Sequence, residues 1–191
     1  DLNNNIYVTG RFYEDSVFLA TDTLYITGNF FGNPDIFTIK YNSSGNMLWA
    51  RGTGGTSAEF PKNIVCDAFG NVYLSVEFDS DTIFFGADTL LNSVPYISEV
   101  GVFKYSTNGN PVWAKSIIGS WIDNVTDLVV NNSGIAIVGH FSSPYLIYSN
   151  DTVFSPDNSR ELYILQLDLN SDLLWFISAG GISSQSVWSM C

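Results

Sequence analysis

Short segments of alternating apolar and polar residues recur along the chain at intervals of about 64 residues. In the first segment, Ile6, Val8, Gly10 and Phe12 share one face of an extended chain. The equivalent positions further along are Val72, Leu74, Val76 and Phe78, and then Ile135, Ile137, Gly139 and Phe141. A period of two residues predicts β-strands, and no window keeps the 3.6-residue period of a helix over about ten residues. We therefore predict an all-β chain.

Each of these strands is followed by an excursion of about 20 residues, at 13–34, 79–98 and 142–160. The excursions share a pattern in which Asp22, Asp88 and Asp151 align, each followed by Thr. Because an Asp side chain favours turns, each excursion is predicted to form a small two-stranded flap with Asp-Thr at its bend. Beyond a hairpin and a Gly-bearing connection, a last strand is predicted at Lys62–Cys66, Thr126–Val130 and Val187–Cys191.

The hairpin between the flap and the last strand has the most regular spacing. A Lys or Gln precedes a Trp by nine residues in every copy, as Lys40 and Trp49, Lys104 and Trp113, and Gln166 and Trp175. An acidic residue opens each hairpin, at Asp35, Glu99 and Glu161. Four strands per repeat with a recurring Trp are typical of β-propeller blades. The predicted fold class is therefore an all-β partial propeller of four-stranded antiparallel blades.

The repeat divides the chain into units 1–66, 67–130 and 131–191 of a single propeller segment, 1–191. With strands lettered a to d from the axis to the rim, each unit runs through strands b, c and d and then into strand a of the next blade. Known propellers have about four to eight blades, so three units do not close a ring. We expect the remaining blades to come from the rest of a longer protein or from other copies of this chain.

Two motifs carry a resemblance to a known repeat. One is the turn that contains Asp67, Gly70, Asn71 and Tyr73, and the other is Lys-Tyr-x-x-x-Gly-x-x-x-Trp-Ala at 40–50 and 104–114. Together with the acid that opens each hairpin, they resemble the SBBP repeat, which is named for a seven-bladed β-propeller. That repeat is common in large exported proteins of bacteria, including Bacteroidota. The resemblance implies a propeller in a secreted or cell-surface setting, and it implies no activity.

Charge and composition exclude several classes of partner. The net charge is −12 with only seven Lys and Arg residues, so the basic clusters that nucleic acid or an anionic membrane surface requires are lacking. No apolar run approaches the 18 or so residues that span a bilayer. The two cysteines, Cys66 and Cys191, are too few for a disulfide framework and form no CxxC pair.

The repeated charged and aromatic residues are predicted to be structural rather than catalytic. Trp49, Trp113 and Trp175 are expected to pack between neighbouring blades, with a stacking surface for sugars as the alternative. The acids of the hairpins recur in every blade and the Lys residues in two of the three, whereas a catalytic pair usually breaks the repeat. The Gly-x-x-x-Trp spacing also resembles blades of quinoprotein dehydrogenases, but the adjacent cysteine pair typical of those enzymes is missing. His140, the single histidine, aligns with Arg11 and Glu77 and is predicted to face solvent.

A recurring Asp-Ser/Thr-aliphatic motif lies within the excursions and resembles the O-glycosylation sequon of exported Bacteroidota proteins. The alternative is an ordinary Asp turn followed by a packed aliphatic residue. The candidate hydroxyl groups belong to Ser16, Thr23, Thr82, Thr89 and Thr152.

Because strands alternate in direction, the excursions and the connections after strand d emerge on the same side of the propeller. That side is expected to be the binding face, with the aromatic candidates Tyr13, Phe30, Phe31, Phe60, Tyr96, Trp121 and Tyr148. The leading hypothesis is a non-enzymatic extracellular or cell-surface scaffold that binds proteins or glycans, without metal or cofactor. The alternatives are a structural subunit of a surface assembly or filament and, more remotely, a propeller enzyme of quinoprotein or polysaccharide-processing type.

Overall fold

A computed structural model describes residues 1–19, 22–26, 33–92, 94, 97–156, 159–181 and 184–191. All regular structure in these residues is β, so the predicted all-β class is confirmed. The first strands in chain order are β1 (Ile6–Phe12), β2 (Ser16–Phe18), β3 (Thr23–Tyr25), β4 (Asp35–Tyr41) and β5 (Met47–Thr53). Next come β6 (Glu59–Cys66), β7 (Val72–Phe78), β8 (Thr82–Phe85), β9 (Asp88–Leu91), β10 (Glu99–Tyr105) and β11 (Pro111–Ile117). The last are β12 (Asp123–Asn131), β13 (Gly134–Phe141), β14 (Tyr145–Tyr148), β15 (Asp151–Phe154), β16 (Glu161–Leu167) and β17 (Leu173–Ala179).

The long strands form three antiparallel sheets, which are the blades. The second blade has the order β11-β10-β7-β6, and the third has the order β12-β13-β16-β17. The first blade has three strands in the order β1-β4-β5, so β1 is its edge strand among the described residues. Each remaining strand pair, β2-β3, β8-β9 and β14-β15, forms a separate two-stranded flap. Within a blade, each long strand pairs antiparallel with the next long strand along the chain, and the flap is inserted between two of them. This arrangement is that of propeller blades.

One predicted strand is not formed. Residues Val187–Cys191 were expected to repeat strand a, but no strand is assigned over 184–191. The segment nevertheless lies where the repeat places it, because the Gln185 backbone N–H donates to the Arg160 carbonyl at 2.7 Å. The Met190 backbone N–H also donates to Oδ2 of Asp127 on β12 at 2.8 Å. No described strand lies beside it to complete a ladder, and a strand needs that partner for its backbone hydrogen bonds.

The central blade shows why these sequences form strands. All seven residues of β7 and all seven of β10 are buried, because neighbouring blades cover both faces of the sheet. Val72 and Leu74 face the first blade in one core cluster, while Tyr73 belongs to the cluster shared with the third blade. Burying one such aliphatic side chain contributes about 1.5–3 kcal/mol, so these strands carry much of the stability of the chain.

The flaps lie against the outer strands of the blades. Flap strands β3, β9 and β15 contact β5, β11 and β17, respectively. Each flap is fixed by a buried aliphatic residue, at Leu24, Leu90 and Val153. Isolated bridges also join flap strands to the connections of the preceding blade, from Ile83 to Gly55 and from Ile147 to Ile118. The flaps therefore brace adjacent blades at the rim.

Candidate functional site

The recurring Lys and Trp form a contact between successive blades. Lys40 Nζ and Trp49 Nε1 both donate to the Thr107 carbonyl in the β10–β11 turn of the second blade, at 3.2 and 3.1 Å. The next junction repeats the contact, because Lys104 Nζ and Trp113 Nε1 donate to the Leu169 carbonyl at 2.7 and 3.3 Å. We call this arrangement the inter-blade clamp. Its two cationic groups are buried and bind backbone carbonyls, which is a structural role.

An Asp and a Tyr complete each clamp. The Tyr73 hydroxyl donates to Asp67 Oδ2 at 3.1 Å, and Lys104 Nζ lies 5.2 Å from the centroid of the Tyr73 ring. The first clamp matches it, since the Tyr7 hydroxyl donates to Asp1 Oδ2 at 2.7 Å. Burial, helped by Cys66 and Asp67, raises the pKa of Tyr7 to about 12. Desolvation lowers the pKa of Lys104, against the opposing pull of the nearby acids.

The turn that receives the Trp ring requires a residue without a side chain. Gly109 has a φ of +76°, and a Cβ atom there would lie 2.6 Å from the Trp49 ring. In the first blade the equivalent Gly45 has a φ of +79°, and nothing lies within 4 Å of a Cβ built on it. The third Trp ring is likewise more open than the other two. Trp175 is 44% exposed, whereas Trp49 and Trp113 are each 8% exposed. The chain thus contains two complete clamps and the two unmatched halves of another.

Buried carboxyl groups lie at both blade junctions where strand a begins. The Ser80 hydroxyl donates to Glu59 Oε1, and the Ser143 hydroxyl donates to Asp123 Oδ2 at 2.8 Å. Burial is the main cause that raises the pKa of Glu59 to about 8, and Asp35 adds to it by repulsion. Burial likewise raises the pKa of Asp123 to about 7. These groups are enclosed by the fold, so their raised pKa values are linked to stability rather than to a reacting substrate.

The acids that open the hairpins are also enclosed. Asp35, Glu99 and Glu161 are each 1% exposed. A Cβ atom on Gly54 would lie 2.1 Å from the Asp35 carboxyl carbon, and one on Gly180 would overlap the Glu161 carboxylate. The connection after strand d must therefore carry glycine where these carboxylates lie. Ser159 donates to Glu161 Oε1 at 2.9 Å.

The prediction that position 140 and its equivalents face solvent is wrong for two of the three residues. Glu77 is 6% exposed and accepts hydrogen bonds from Asn124 Nδ2 and the Val125 N–H, at 3.1 and 3.2 Å. His140 is half-buried against Arg160, and its pKa is lowered to about 4 by burial and by the nearby cations. The charged or polar side chain at this position therefore has different hydrogen-bond partners in different blades.

The predicted binding-face aromatics that the structure describes have different surroundings. The Arg11 guanidinium carbon lies 5.6 Å from the centroid of the Tyr13 ring and 4.8 Å from that of the Phe60 ring. Trp121 is 65% exposed in the connection before β12. Tyr148 is wrong as a contact residue, because it is buried and its hydroxyl donates to the Ser171 carbonyl at 2.7 Å. Phe30, Phe31 and Tyr96 lie outside the described residues.

A row of exposed apolar side chains on the flaps was missed from the sequence. Tyr25, Leu91 and Phe154 occupy equivalent positions and are 69%, 63% and 64% exposed. In the first two flaps the facing strand adds Phe18 and Phe84, which are 81% and 57% exposed. We call these five residues the flap row. The sequence did contain the signal. Tyr25, Leu91 and Phe154 each lie two residues after the Thr of the Asp-Thr pair, and residues two apart in a strand share one face.

The same geometry accounts for the Asp-Ser/Thr-aliphatic motif. In the second strand of each flap the aliphatic residue points into the core, and the Thr points outward with the flap row. Thr89 is exposed, while Ser16, Thr23, Thr82 and Thr152 are half-buried. The packing of the aliphatic residue explains the motif without a sugar, and glycosylation of the hydroxyls stays a prediction.

Within the described ranges, no group of three or more His, Cys, Asp or Glu side chains has an arrangement that could hold a metal ion. No helix among those residues has the length and apolar character that a membrane span needs. A groove of about 540 Å³ lies between the second and third blades. Its walls carry both charge signs, with Asp88, Lys115 and Asp172 among the lining residues.

Fold and contacts together define a β-propeller-type repeat protein whose blades are joined by recurring clamps. Comparison with known proteins agrees with this class. The chain is 28% identical to an uncharacterized WD repeat-containing protein of Acanthamoeba polyphaga mimivirus, in an alignment of 183 residues that covers 80% of this chain. That alignment covers 13% of the viral protein. No protein-family model matches the chain, so the resemblance to the SBBP repeat stays a prediction.

Proposed function

We propose that this chain is part of a non-enzymatic propeller scaffold that binds other proteins through its rim. The observation that carries the proposal is the flap row. Large apolar side chains are exposed at the same place on three successive flaps, although the aliphatic residue beside each one is buried. Large aromatic side chains, Tyr among them, are enriched at protein-binding surfaces and dominate their energetics.

The scaffold role follows from the rigidity of the frame that holds the flaps. Each flap is fixed by a core residue and by a bridge or contact to a blade, and the blades are clamped to each other. Binding residues on a rigid frame lose little conformational entropy when a partner binds. The WD repeat in the name of the viral relative supports a propeller scaffold as the general role.

A secreted or cell-surface setting, with proteins or glycans as ligands, is the more specific part of the proposal. Its support is the resemblance of the repeats to the SBBP repeat of exported bacterial proteins. The acidic net charge of −12 also fits a protein partner with a basic surface. Glycans are the alternative ligand, because sugars stack on exposed aromatic rings such as Tyr25 and Phe154.

The test compares two sets of substitutions of exposed apolar residues. The flap variant carries Tyr25→Ser, Leu91→Ser and Phe154→Ser. The control carries Phe69→Ser, since Phe69 is 76% exposed in the turn between β6 and β7, away from the flaps. The chain is given a photo-crosslinking amino acid at Phe18 and used on cells of its source, in parallel with a glycan array.

We expect a discrete crosslinked partner, or a defined class of bound glycan, that the flap variant loses and the Phe69 control retains. Equal capture by both variants, or no specific capture by the unmodified chain, would contradict the proposal.

A further inference from the structure

The groove between the second and third blades is open at a place where the first junction is bridged. One wall is formed by flap strand β9 and by β11, and the other by the end of β14 and the β16–β17 turn. Its volume of about 540 Å³ is within the range of small-molecule sites, about 300–1,000 Å³. The groove lies between two four-stranded sheets, so the residues that line it belong to an internal junction of the chain.

The first junction shows which side chain bridges this position. Arg51 and Lys115 are equivalent, because each lies two residues after the Trp of its clamp. The Arg51 side chain reaches the turn of the next blade, where its Nε donates to the Gly109 carbonyl at 2.7 Å and its Nη2 donates to the Asn108 carbonyl at 3.3 Å. An arginine therefore spans the two walls of the first junction.

The second junction has no such bridge. Lys115 is exposed, and no described residue forms a hydrogen bond or ion pair with its ammonium group. The carbonyl equivalent to that of Gly109 belongs to Ser171, and it accepts from the Tyr148 hydroxyl at 2.7 Å instead. Tyr148 aligns with Phe85, which has no hydroxyl, so the two junctions differ at two matched positions. The repeat is thus broken at the place where the groove lies.

The walls of the groove carry acceptors and a donor close together. Asp88 is half-buried, and its Oδ2 accepts a backbone N–H of β11 at 2.8 Å, which fixes the carboxylate in one wall. Asp172 lies in the turn that forms the opposite wall, and Lys115 adds an ammonium group. Aliphatic surface comes from the half-buried Ile118 and Ile147, which pair in the isolated bridge between the walls.

This combination of groups matches a neutral sugar. Each sugar hydroxyl both donates and accepts hydrogen bonds, so it needs an acceptor and a donor nearby. Carboxylates beside an ammonium group supply both, and aliphatic side chains cover the C–H groups of the ring. A ligand with its own carboxylate or phosphate would be repelled by the two acids. We propose that this groove binds a neutral monosaccharide unit of a glycan, with Asp88 and Asp172 as acceptors and Lys115 as a donor.

Saturation-transfer NMR with the chain tests the proposal. The probes are the methyl glycosides of glucose, galactose, mannose and N-acetylglucosamine, with glucuronic acid and triglycine as comparisons. Lys115→Met and Asp88→Asn each remove one charged group from the groove. Asp151→Asn is the matched control for Asp88→Asn, because Asp151 is the equivalent residue of the third flap and does not line the groove. Circular dichroism confirms that each variant is folded.

A double variant closes the groove while keeping its charge. Lys115→Arg with Tyr148→Phe gives the second junction the residues that the first junction has, Arg51 and Phe85. Because Tyr148→Phe frees the Ser171 carbonyl, the new arginine has the same kind of acceptor that Arg51 has. We expect this variant to fold and to lose sugar binding.

We expect at least one neutral glycoside to bind, and Lys115→Met and Asp88→Asn to weaken that binding at least about tenfold, because hydrogen bonds to charged groups are the stronger ones. The Asp151→Asn control and the flap variant should bind as the unmodified chain does. No binding of any glycoside in the panel would overturn the proposal, and so would preferential binding of glucuronic acid or triglycine.

The flap variant also separates this site from the proposed rim function. Binding that the flap variant loses while Lys115→Met and Asp88→Asn retain it would place the sugar on the flap row. That result would overturn the groove proposal and leave the rim function standing. Conversely, binding that only the groove variants lose would support this proposal even if the flap row captured no partner.

Discussion

At the scale of single residues, glycines and buried acids do most to determine where the blades meet. Gly109 allows the Trp49 ring to lie on its turn, and Gly54 leaves room for the Asp35 carboxylate. The acids Glu59 and Asp123 are enclosed with Ser partners at the start of their strands. Each of these residues limits how closely neighbouring segments approach each other.

Two glycines with the same backbone conformation provide a matched pair. Gly45 and Gly109 have φ values of +79° and +76°, so Ala at either position meets the same backbone strain of about 1–2 kcal/mol. Only at Gly109 does the new Cβ also collide with Trp49. We expect Gly109→Ala to lower the free energy of unfolding by about 3 kcal/mol and Gly45→Ala by about 1 kcal/mol.

Urea unfolding followed by tryptophan fluorescence measures the difference, at a chain concentration low enough that the protein is monomeric. Equal losses in the two variants would show that the Trp49 contact contributes nothing beyond the backbone strain.

The buried acid Glu59 predicts a pH dependence. Its pKa is about 8 in the folded chain and 4.5 in a solvated one, so the folded state holds a proton that the unfolded state has released. Stability is therefore greatest below this window and falls as pH rises through it, by up to about 1.4 kcal/mol per pH unit. Glu59→Gln stays neutral and should flatten the decline, most visibly near the upper end of the window.

The measurement is the free energy of unfolding from about pH 5 to about pH 8. Glu14→Gln is the control, because Glu14 is exposed and should leave the slope as it is. An unchanged slope in Glu59→Gln would mean that Asp123 or another group carries the dependence, which Asp123→Asn then tests.

At the scale of elements, the inter-blade clamp links sheets that share no ladder. Lys104 reaches the Leu169 carbonyl from β10, while Trp113 reaches it from β11. Lys104→Met keeps the aliphatic stem but removes the charged donor and the contact with the Tyr73 ring. Because the lost hydrogen bond is offset in part by relief of the Lys desolvation, we expect a loss of about 1–2 kcal/mol.

Lys115→Met is the matched control, since Lys115 is exposed on the neighbouring strand and should change stability by less than about 0.5 kcal/mol. Both values come from urea midpoints at constant slope. A loss no larger in Lys104→Met than in the control would show that the Trp113 bond alone supports this junction.

The strands and their order could be predicted from the sequence because local patterns determine them. Alternation over Val72–Phe78 follows from the two-residue period of a strand, and the nine-residue spacing follows from the register of the β10–β11 hairpin, in which Lys104 and Trp113 pair. The segment Val187–Cys191 shows the limit of this method. Its pattern is that of a strand, but a strand also requires a neighbour, and that neighbour is a tertiary feature.

The exposed aromatic residues were harder to predict for a related reason. Aromatic side chains in the excursions were expected to be exposed, yet Tyr148 is in the core while Tyr25 and Phe154 are outside. The type of a residue and its position in a loop do not determine which way its side chain points. The alternation within each flap does determine it, once the buried Leu24, Leu90 and Val153 identify the inner face.

At the scale of the whole molecule, charge and packing act in opposite directions. The sequence has nineteen acidic and seven basic residues, so folding brings together charges that repel. Few cations are available to offset them locally, although Lys62 pairs with Glu77 at 2.7 Å.

This repulsion predicts that salt stabilises the protein. Screening extends over about 30 Å at 0.01 M salt and about 3 Å at 1 M, so long-range repulsion fades as salt rises while buried contacts persist. We expect NaCl to raise Tm by about 2–4 °C between low and high salt, equivalent to about 1 kcal/mol for a chain of this size.

A variant with fewer charges supplies the control. Asp15→Asn, Asp81→Asn and Asp151→Asn alter exposed flap residues and change the net charge from −12 to −9, since each removes one negative charge. Its Tm should be higher at low salt and less sensitive to NaCl. A Tm that falls with NaCl would mean that local ion pairs such as Lys62–Glu77 outweigh the net charge, because screening weakens attraction as well as repulsion.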